Sequence, residues 1–355
     1  DEALKAMQQL TAHHRLNFSY NVIGITGSNG KTIVKEWLYQ LLRADLNIVR
    51  SPKSYNSQIG VPLSVWEMQE EHQLGIFEAG ISMPGEMKKL EAIIHPTIGI
   101  FTNIGSAHDE NFKSEAEKVH EKLELFSGVK TLIYNKDYTT IHESIATFPF
   151  REKDIQIFTC SRKSRADLQV GRVTKSNDDT EIQAVYKNEF INITIPFTDD
   201  ASIENAIHCW SLMLVMGFDQ EVIMERMHML SPVAMRLVMK TGINNCSVIN
   251  DSYNSDIGSL TIALDFLNQQ KQHDTKTLIL SDILQSGKNE ENLYKEVTNL
   301  LQAKGIHSLI GIGPAISRQE KYFSMAKKFF RSTDDFLRDF SPGDFRDETI
   351  LLKGA

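Results

Sequence analysis

Cysteine is scarce in this 355-residue chain: Cys160, Cys209 and Cys246 are an odd number, widely spaced, with no CxxC pair. That excludes a disulfide framework and a cysteine-based zinc site. The thiols read as reduced groups of a reducing compartment, the cytoplasm. Long hydrophobic runs are missing as well, and no apolar stretch approaches the roughly 20 residues that a membrane span needs. Positive charge is not in surplus either, since 38 basic against 46 acidic side chains leave a formal charge of −8. This balance argues against general nucleic-acid binding but leaves room for a nucleotide, which needs only a local positive site. There is no internal repeat and no low-complexity tract. What remains is an ordinary globular composition, 41% hydrophobic and 24% charged, which rules out a disordered, collagen-like or coiled-coil chain. At this length two domains are expected.

Apolar runs alternate with helical patterns, the signature of a mostly parallel sheet with crossover helices. Asp1 to Arg15 carries no cationic, apolar signal pattern and reads as an amphipathic helix, with Leu4, Met7, Leu10 and His14 at helical spacing. Strands are expected at Asn21 to Thr26, Leu74 to Phe77, Ile98 to Thr102 and Thr131 to Tyr134, with a helix from about Lys31 to Arg43. Ser114 with Glu117 forms a capping-box pattern that opens a helix, and Gly128 closes it. Residues 155–197 suggest antiparallel strands, and a helix from Ile203 to Met216 follows. A second α/β run starts near Ser247, with strands at Val248-Ile249, Thr277 to Leu280, Ser308 to Gly311 and Ile350 to Leu352. Pro232 marks the break. The methionines Met213, Met216, Met224, Met227 and Met229 read as core filler. DETILLKGA at 347–355 reads as a strand stopping as its loop begins, so both ends are expected to be cut from a longer protein. A processed or tagged chain is the alternative.

TGSNGKT at residues 26–32 sits between a strand and a helix, where a phosphate-binding loop belongs. Glycines let backbone N–H groups converge on phosphate oxygens, and the helix N-terminus favours the anion. Lys31 is placed to reach the β- and γ-phosphates, and the Thr32 hydroxyl to hold Mg²⁺. The strict GxxxxGK[ST] pattern wants glycine at position 25, which is Ile25, with Gly24 one residue early; a chance glycine turn is the bland alternative. Phosphoryl transfer also needs an acid for the metal at a neighbouring strand end, and Glu78 fits that place. Glu70 and Glu71 read as a solvated turn. His108 follows the strand at 98–102 on the same rim of the sheet, where a lone histidine is more often structural than a ligand. Lys122 alone reads as a solvated helix lysine.

These residues, in this order, resemble the Mur ligase family. The loop at 26–32 resembles its ATP loop, YNSQIGVP (55–62) its NxxxGxP segment, FEAG (77–80) the segment bearing its magnesium glutamate, and TNIGSAH (102–108) its TNI…AH stretch. NDSYN (250–254), Ser281-Asp282 with Gly287, and Pro84-Gly85-Glu86 are similar to motifs of the member that adds D-Ala-D-Ala. The resemblance implies a P-loop ATPase domain over 19–231 and a Rossmann-like C-terminal domain over 232–355, truncated at its end. Residues 1–18 would be a linker helix from a missing UDP-sugar domain. It implies ATP bound by Gly27, Ser28, Asn29, Gly30, Lys31 and Thr32, with Asn205 near the adenine and Arg236, Asp251 and Asn254 closing over the nucleotide. One Mg²⁺ would lie on Thr32 and Glu78, and a second on Glu78, His108 and a carbamate carried by Lys122.

The activity so implied is an ATP-dependent, ADP-forming ligase of peptidoglycan synthesis that joins UDP-MurNAc-tripeptide and D-Ala-D-Ala through an acyl phosphate. Without its first domain the chain would be inactive in ligation, and a fused alanine racemase is a further expectation. A sister ligase, a folylpolyglutamate synthetase and a nucleotide-binding module without turnover stay open. The pattern departs from the family at Ala201-Ser202, Met235 and Ser281, which touches the adenine and closure assignments more than the phosphate and metal ones.

Overall fold

The computed structural model describes residues 2–105, 111–152, 154–233, 238–252, 256–284, 286 and 288–354. They fall into two compact units, Asp1–Gly105 with Asn111–Ser231, and Pro232–Ala355.

The first unit opens with α1 (Glu2–Arg15), β1 (Asn21–Thr26), α2 (Lys31–Leu42), β2 (Ile48–Arg50), α3 (Gly60–Trp66) and β3 (Leu74–Glu78). It continues through α4 (Met87–Ile94), β4 (Ile98–Phe101), α5 (Glu115–Leu123), β5 (Thr131–Asn135), α6 (Thr139–Thr147) and β6 (Gln156–Ser161). Three further strands, β7 (Leu168–Lys175), β8 (Thr180–Tyr186) and β9 (Glu189–Ile195), precede α7 (Asp200–Val215) and α8 (Gln220–His228). The described strands form one sheet in the order β2-β3-β1-β4-β5-β6-β7-β8-β9. β1, β3 and β4 are apolar except at Asn21, Thr26 and Glu78 and are almost wholly buried, as strands covered on both faces must be. Val34, Trp37, Leu38, Leu41 and Leu42 turn one face of α2 into the core.

Three expectations need correction. The turn from parallel to antiparallel comes later than residue 155: β6 runs parallel to both β5 and β7, and only β7, β8 and β9 pair antiparallel. In the Leu4–Met7–Leu10–His14 stripe of α1, Leu4, Met7 and His14 are half-buried but Leu10 is exposed, while Thr11 and Arg15 are the buried residues of the helix. Arg15 goes inside because it satisfies carbonyls at the end of α4, donating to Ile94 O at 2.8 Å and His95 O at 3.0 Å. Of the methionines, Met213 and Met227 are core, but Met224 and Met229 are exposed.

The second unit holds β10 (Val238–Thr241), β11 (Ser247–Asp251), α9 (Ile257–Gln269), β12 (Thr275–Ser281), α10 (Glu290–Ala303) and β13 (Ser308–Ile312). α11 (Pro314–Arg318), β14 (Ala326–Phe330), α12 (Thr333–Asp339) and β15 (Glu348–Lys353) complete it. Its described strands are ordered β10-β11-β15-β12-β13-β14, with β10 antiparallel and the others parallel. The last strand therefore sits between β11 and β12, in the middle of the sheet. Leu260, Leu264, Leu278, Leu280, Tyr294, Val297, Leu309 and Leu351 form the core there. Among the described residues no helix is long and apolar enough to cross a membrane.

Candidate functional site

β1 pairs with β3 on one side and β4 on the other, so the connections diverge from it and leave a crevice beyond the strand ends. The loop at 26–32 opens into that crevice. Gly27 has φ +147° and Gly30 φ +83°, conformations that side-chain-bearing residues rarely adopt. A Cβ at Gly27 would fall 2.0 Å from Thr102 Oγ1, and one at Gly30 would fall 2.2 Å from Asn205 Oδ1. The loop is braced from β4's carboxyl end. Ser28 N donates to Asn103 O at 3.0 Å, Asn29 N to Asn103 Oδ1 at 2.8 Å, and Thr102 Oγ1 to Asn29 O at 2.6 Å. Gly30 brings no side-chain cap to α2, so the helix start presents backbone N–H groups where an anion is favoured. Lys31 Nζ folds over the loop, 2.8 Å from Gly27 O and 3.2 Å from Ser28 O.

The acid expected at a neighbouring strand end is present. Glu78 closes β3 opposite Ile25 and is fully buried. Thr32 Oγ1 lies 3.0 Å from its Oε2 and 3.3 Å from its Oε1, and Asn56 Nδ2 donates to Oε2 at 3.4 Å. Ser54 Oγ is 3.2 Å from the same threonine hydroxyl. Hydroxyl and carboxylate oxygens at a helix start are the hard donors that Mg²⁺ prefers, so this donor set fits the ion. Lys35 joins them, with Nζ 3.3 Å from Glu78 Oε1.

Lys122 is not a solvated helix lysine. It is 4% exposed on α5, and its Nζ donates to Gly27 O at 3.3 Å. Burial pushes this amine well below the usual lysine range, and the charges of Lys31 and Lys118 push the same way, against a smaller opposing pull from Glu121.

The structure thus brings together Gly27 to Thr32, Glu78, Lys122 and Asn205 within the first unit. Asp251 lies in the second unit at the end of β11, where its Oδ2 accepts from Lys353 Nζ at 2.8 Å. His108, Arg236 and Asn254 lie outside the described residues, as do Met235 and Gly287. Among the described residues no three His, Cys, Asp or Glu side chains converge on a metal position. Asp282 accepts from Ala315 N at 3.1 Å and Ile316 N at 2.8 Å, tying the end of β12 to α11. Sequence reasoning passed over Lys35, Ser54 and His208. Lys35 carried a usable signal: it follows Thr32 by three residues and Lys31 by four, on one helix face.

Comparison with known proteins adds independent support. The Mur ligase middle domain matches residues 25–213. The chain is 28% identical over 301 residues to the UDP-N-acetylmuramoyl-tripeptide–D-alanyl-D-alanine ligase of Bacillus subtilis, covering 83% of this chain and 63% of that enzyme. With the Buchnera aphidicola enzyme of the same name it shares 28% over 356 residues, covering 99% of this chain and 77% of the relative. Among solved structures, MurF from Acinetobacter baumannii superposes with a TM-score of 0.83 at 21% identity, covering 99% of this chain and 77% of that one. The chain therefore spans less than two thirds of the Bacillus enzyme and about three quarters of the other two.

Proposed function

The chain belongs to the Mur ligase family, and we propose that it carries the ATP-dependent step in which D-Ala-D-Ala is joined to UDP-MurNAc-tripeptide in peptidoglycan synthesis. The observation that carries this reading is the buried Thr32–Glu78 contact beneath a braced glycine loop that ends in Lys31. The names of both curated relatives supply the substrates. The γ-phosphoryl group of ATP passes to the terminal carboxylate of the tripeptide, and ADP leaves. The amine of D-Ala-D-Ala then attacks the acyl phosphate, and the tetrahedral intermediate collapses with loss of phosphate to give the amide.

In this reading Gly27 to Thr32 hold the phosphates through backbone N–H groups, and Lys31 neutralises charge on the transferring phosphoryl group. Thr32 and Glu78 would hold Mg²⁺, which when bound offsets phosphate charge. With Glu78, His108 and a carbamate on Lys122 would hold a second cation, which an unmodified ammonium there would repel. The lowered proton affinity of Lys122 supports this, because CO₂ adds only to the neutral amine, giving a carbamate and one proton. Asn205, which lies against Gly30, would sit near the adenine, and Arg236, Asp251 and Asn254 would act on the nucleotide. Cys160, Cys209 and Cys246 are buried free thiols, in keeping with a cytoplasmic setting.

The test is twofold. Lys31→Ala should lose ATP and ADP binding by calorimetry while keeping its circular dichroism spectrum; unchanged affinity removes the loop assignment. ADP release by the wild-type enzyme should require both UDP-MurNAc-tripeptide and D-Ala-D-Ala. Release that instead follows a glutamate or diaminopimelate amine assigns the chain to another ligase.

A further inference from the structure

Lys35 is a buried cation to which the proposed chemistry gives no task. Its side chain is wholly out of water, one helical turn beyond Lys31 on α2. Its Nζ donates to Ser51 O at 2.7 Å and to the Lys53 carbonyl, and lies 3.0 Å from Glu36 Oε1 and 3.3 Å from Glu78 Oε1. Glu78 is equally buried, and its other partners, the Thr32 hydroxyl and the Asn56 amide, are neutral. A fully buried carboxylate left with neutral donors alone is strongly disfavoured, so a cation is required beside it.

We propose that Lys35 is the resident counter-ion of the metal site. It stands against Glu78 Oε1, holds Oε2 towards Thr32, and ties the 51–53 backbone to α2, so the site keeps its shape when no divalent cation is bound. Lys35 is a positioning residue that acts on the bound cation through Glu78. The inference rests on the reading of Glu78 as a Mg²⁺ ligand. A lysine serving only to anchor the Ser51 and Lys53 carbonyls would make a different prediction, because its loss could not be offset by changing Glu78.

The experiment is a double-mutant cycle read by thermal unfolding in EDTA and in Mg²⁺, with wild type, Lys35→Met, Glu78→Gln and the double variant. Lys35→Met should lose several degrees of Tm in EDTA and regain part of that in Mg²⁺, whereas wild type responds little to the ion. Adding Glu78→Gln to Lys35→Met should raise Tm again and abolish the response to Mg²⁺. If Lys35→Met does not fold, a folded double variant supports the counter-ion role and an unfolded one overturns it. An equal loss of Tm with and without Mg²⁺, or a double variant no more stable than Lys35→Met, also overturns it. Calorimetry of wild type with ADP and Mg²⁺ tests the nucleotide reading separately, and the cycle keeps its meaning whichever way that titration falls.

Discussion

Lys122 Nζ lies 3.3 Å from the carbonyl oxygen of Gly27, the same carbonyl that Lys31 Nζ reaches at 2.8 Å. Burial first, and then the nearby charges of Lys31 and Lys118, make Lys122 give up its proton more readily than an ordinary lysine. Between its lowered value and the ordinary lysine value, the folded chain holds fewer protons at Lys122 than the unfolded chain. This group's contribution to stability therefore rises with pH through that window. The same window supplies the neutral amine that CO₂ needs. In ¹³C-bicarbonate, wild type should show a carbamate carbon signal that grows as pH is raised and disappears in acid. Spectra of wild type and Lys122→Ala that match at every pH would return Lys122 to an unmodified amine.

Gly30 offers a steric test of the loop. Its φ of +83° and the Asn205 amide pressed against it leave no room for a side chain. Gly30→Ala should cost about 2 kcal/mol or more of stability, from backbone strain and the clash together. Adding Asn205→Ala should recover only the clash. Urea unfolding checks both steps, and full recovery in the double variant would show that φ imposes no strain.

His208 gives a pH signature of its own. Its Nε2 bonds Thr102 O at 2.8 Å, its Nδ1 has no hydrogen-bond partner among the described residues, and burial holds its pKa down to about 4. Above the usual histidine value neither the folded nor the unfolded chain is protonated there, so nothing is lost. As pH falls towards 4, the unfolded chain binds a proton that the folded chain refuses. Stability therefore drops by about 3 kcal/mol from this group across the window. The loss of stability between neutral pH and pH near 4 should be correspondingly smaller in His208→Gln. Parallel curves for the two proteins would refute the assignment.

Asp251 and Lys353 pair out of water across β11 and β15, where the register sets them opposite each other. Lys353→Met should destabilise the second unit by about 3–5 kcal/mol, because the carboxylate is left buried and uncompensated. Asp251→Asn added to it should restore most of that. If the single variant unfolds in urea as wild type does, the pair carries no structural weight and Asp251 is free for the nucleotide.

Much of the site was legible because it is local. An apolar strand, glycines where φ must be positive, a helix start carrying Lys31 and Thr32, and an acid at the end of the next apolar run all follow from neighbours in the chain. Asn21–Thr26 emerged as a strand with the expected bounds, and Glu78 closes β3 as placed. Lys122 was different. Nothing in the pattern of α5 distinguishes a lysine facing water from one facing Gly27, and only the resemblance to a family singled it out. Leu10 shows the same limit in reverse: helical spacing marked it as buried, yet Arg15 took the inward face because the end of α4 offered it carbonyls.

What the sequence determined by itself was the alternation of strands and helices and the chemistry of the phosphate loop, since both depend on residues within a turn or two of each other. What only the tertiary structure decided was which distant segments meet. β15 inserts between β11 and β12, Lys35 finds Glu78 across 43 positions, and Lys353 finds Asp251 across 102. Strand order in a parallel sheet is set by how the crossover helices pack, and a buried charge is placed by whichever opposite charge that packing brings to it. Neither leaves a trace in local spacing.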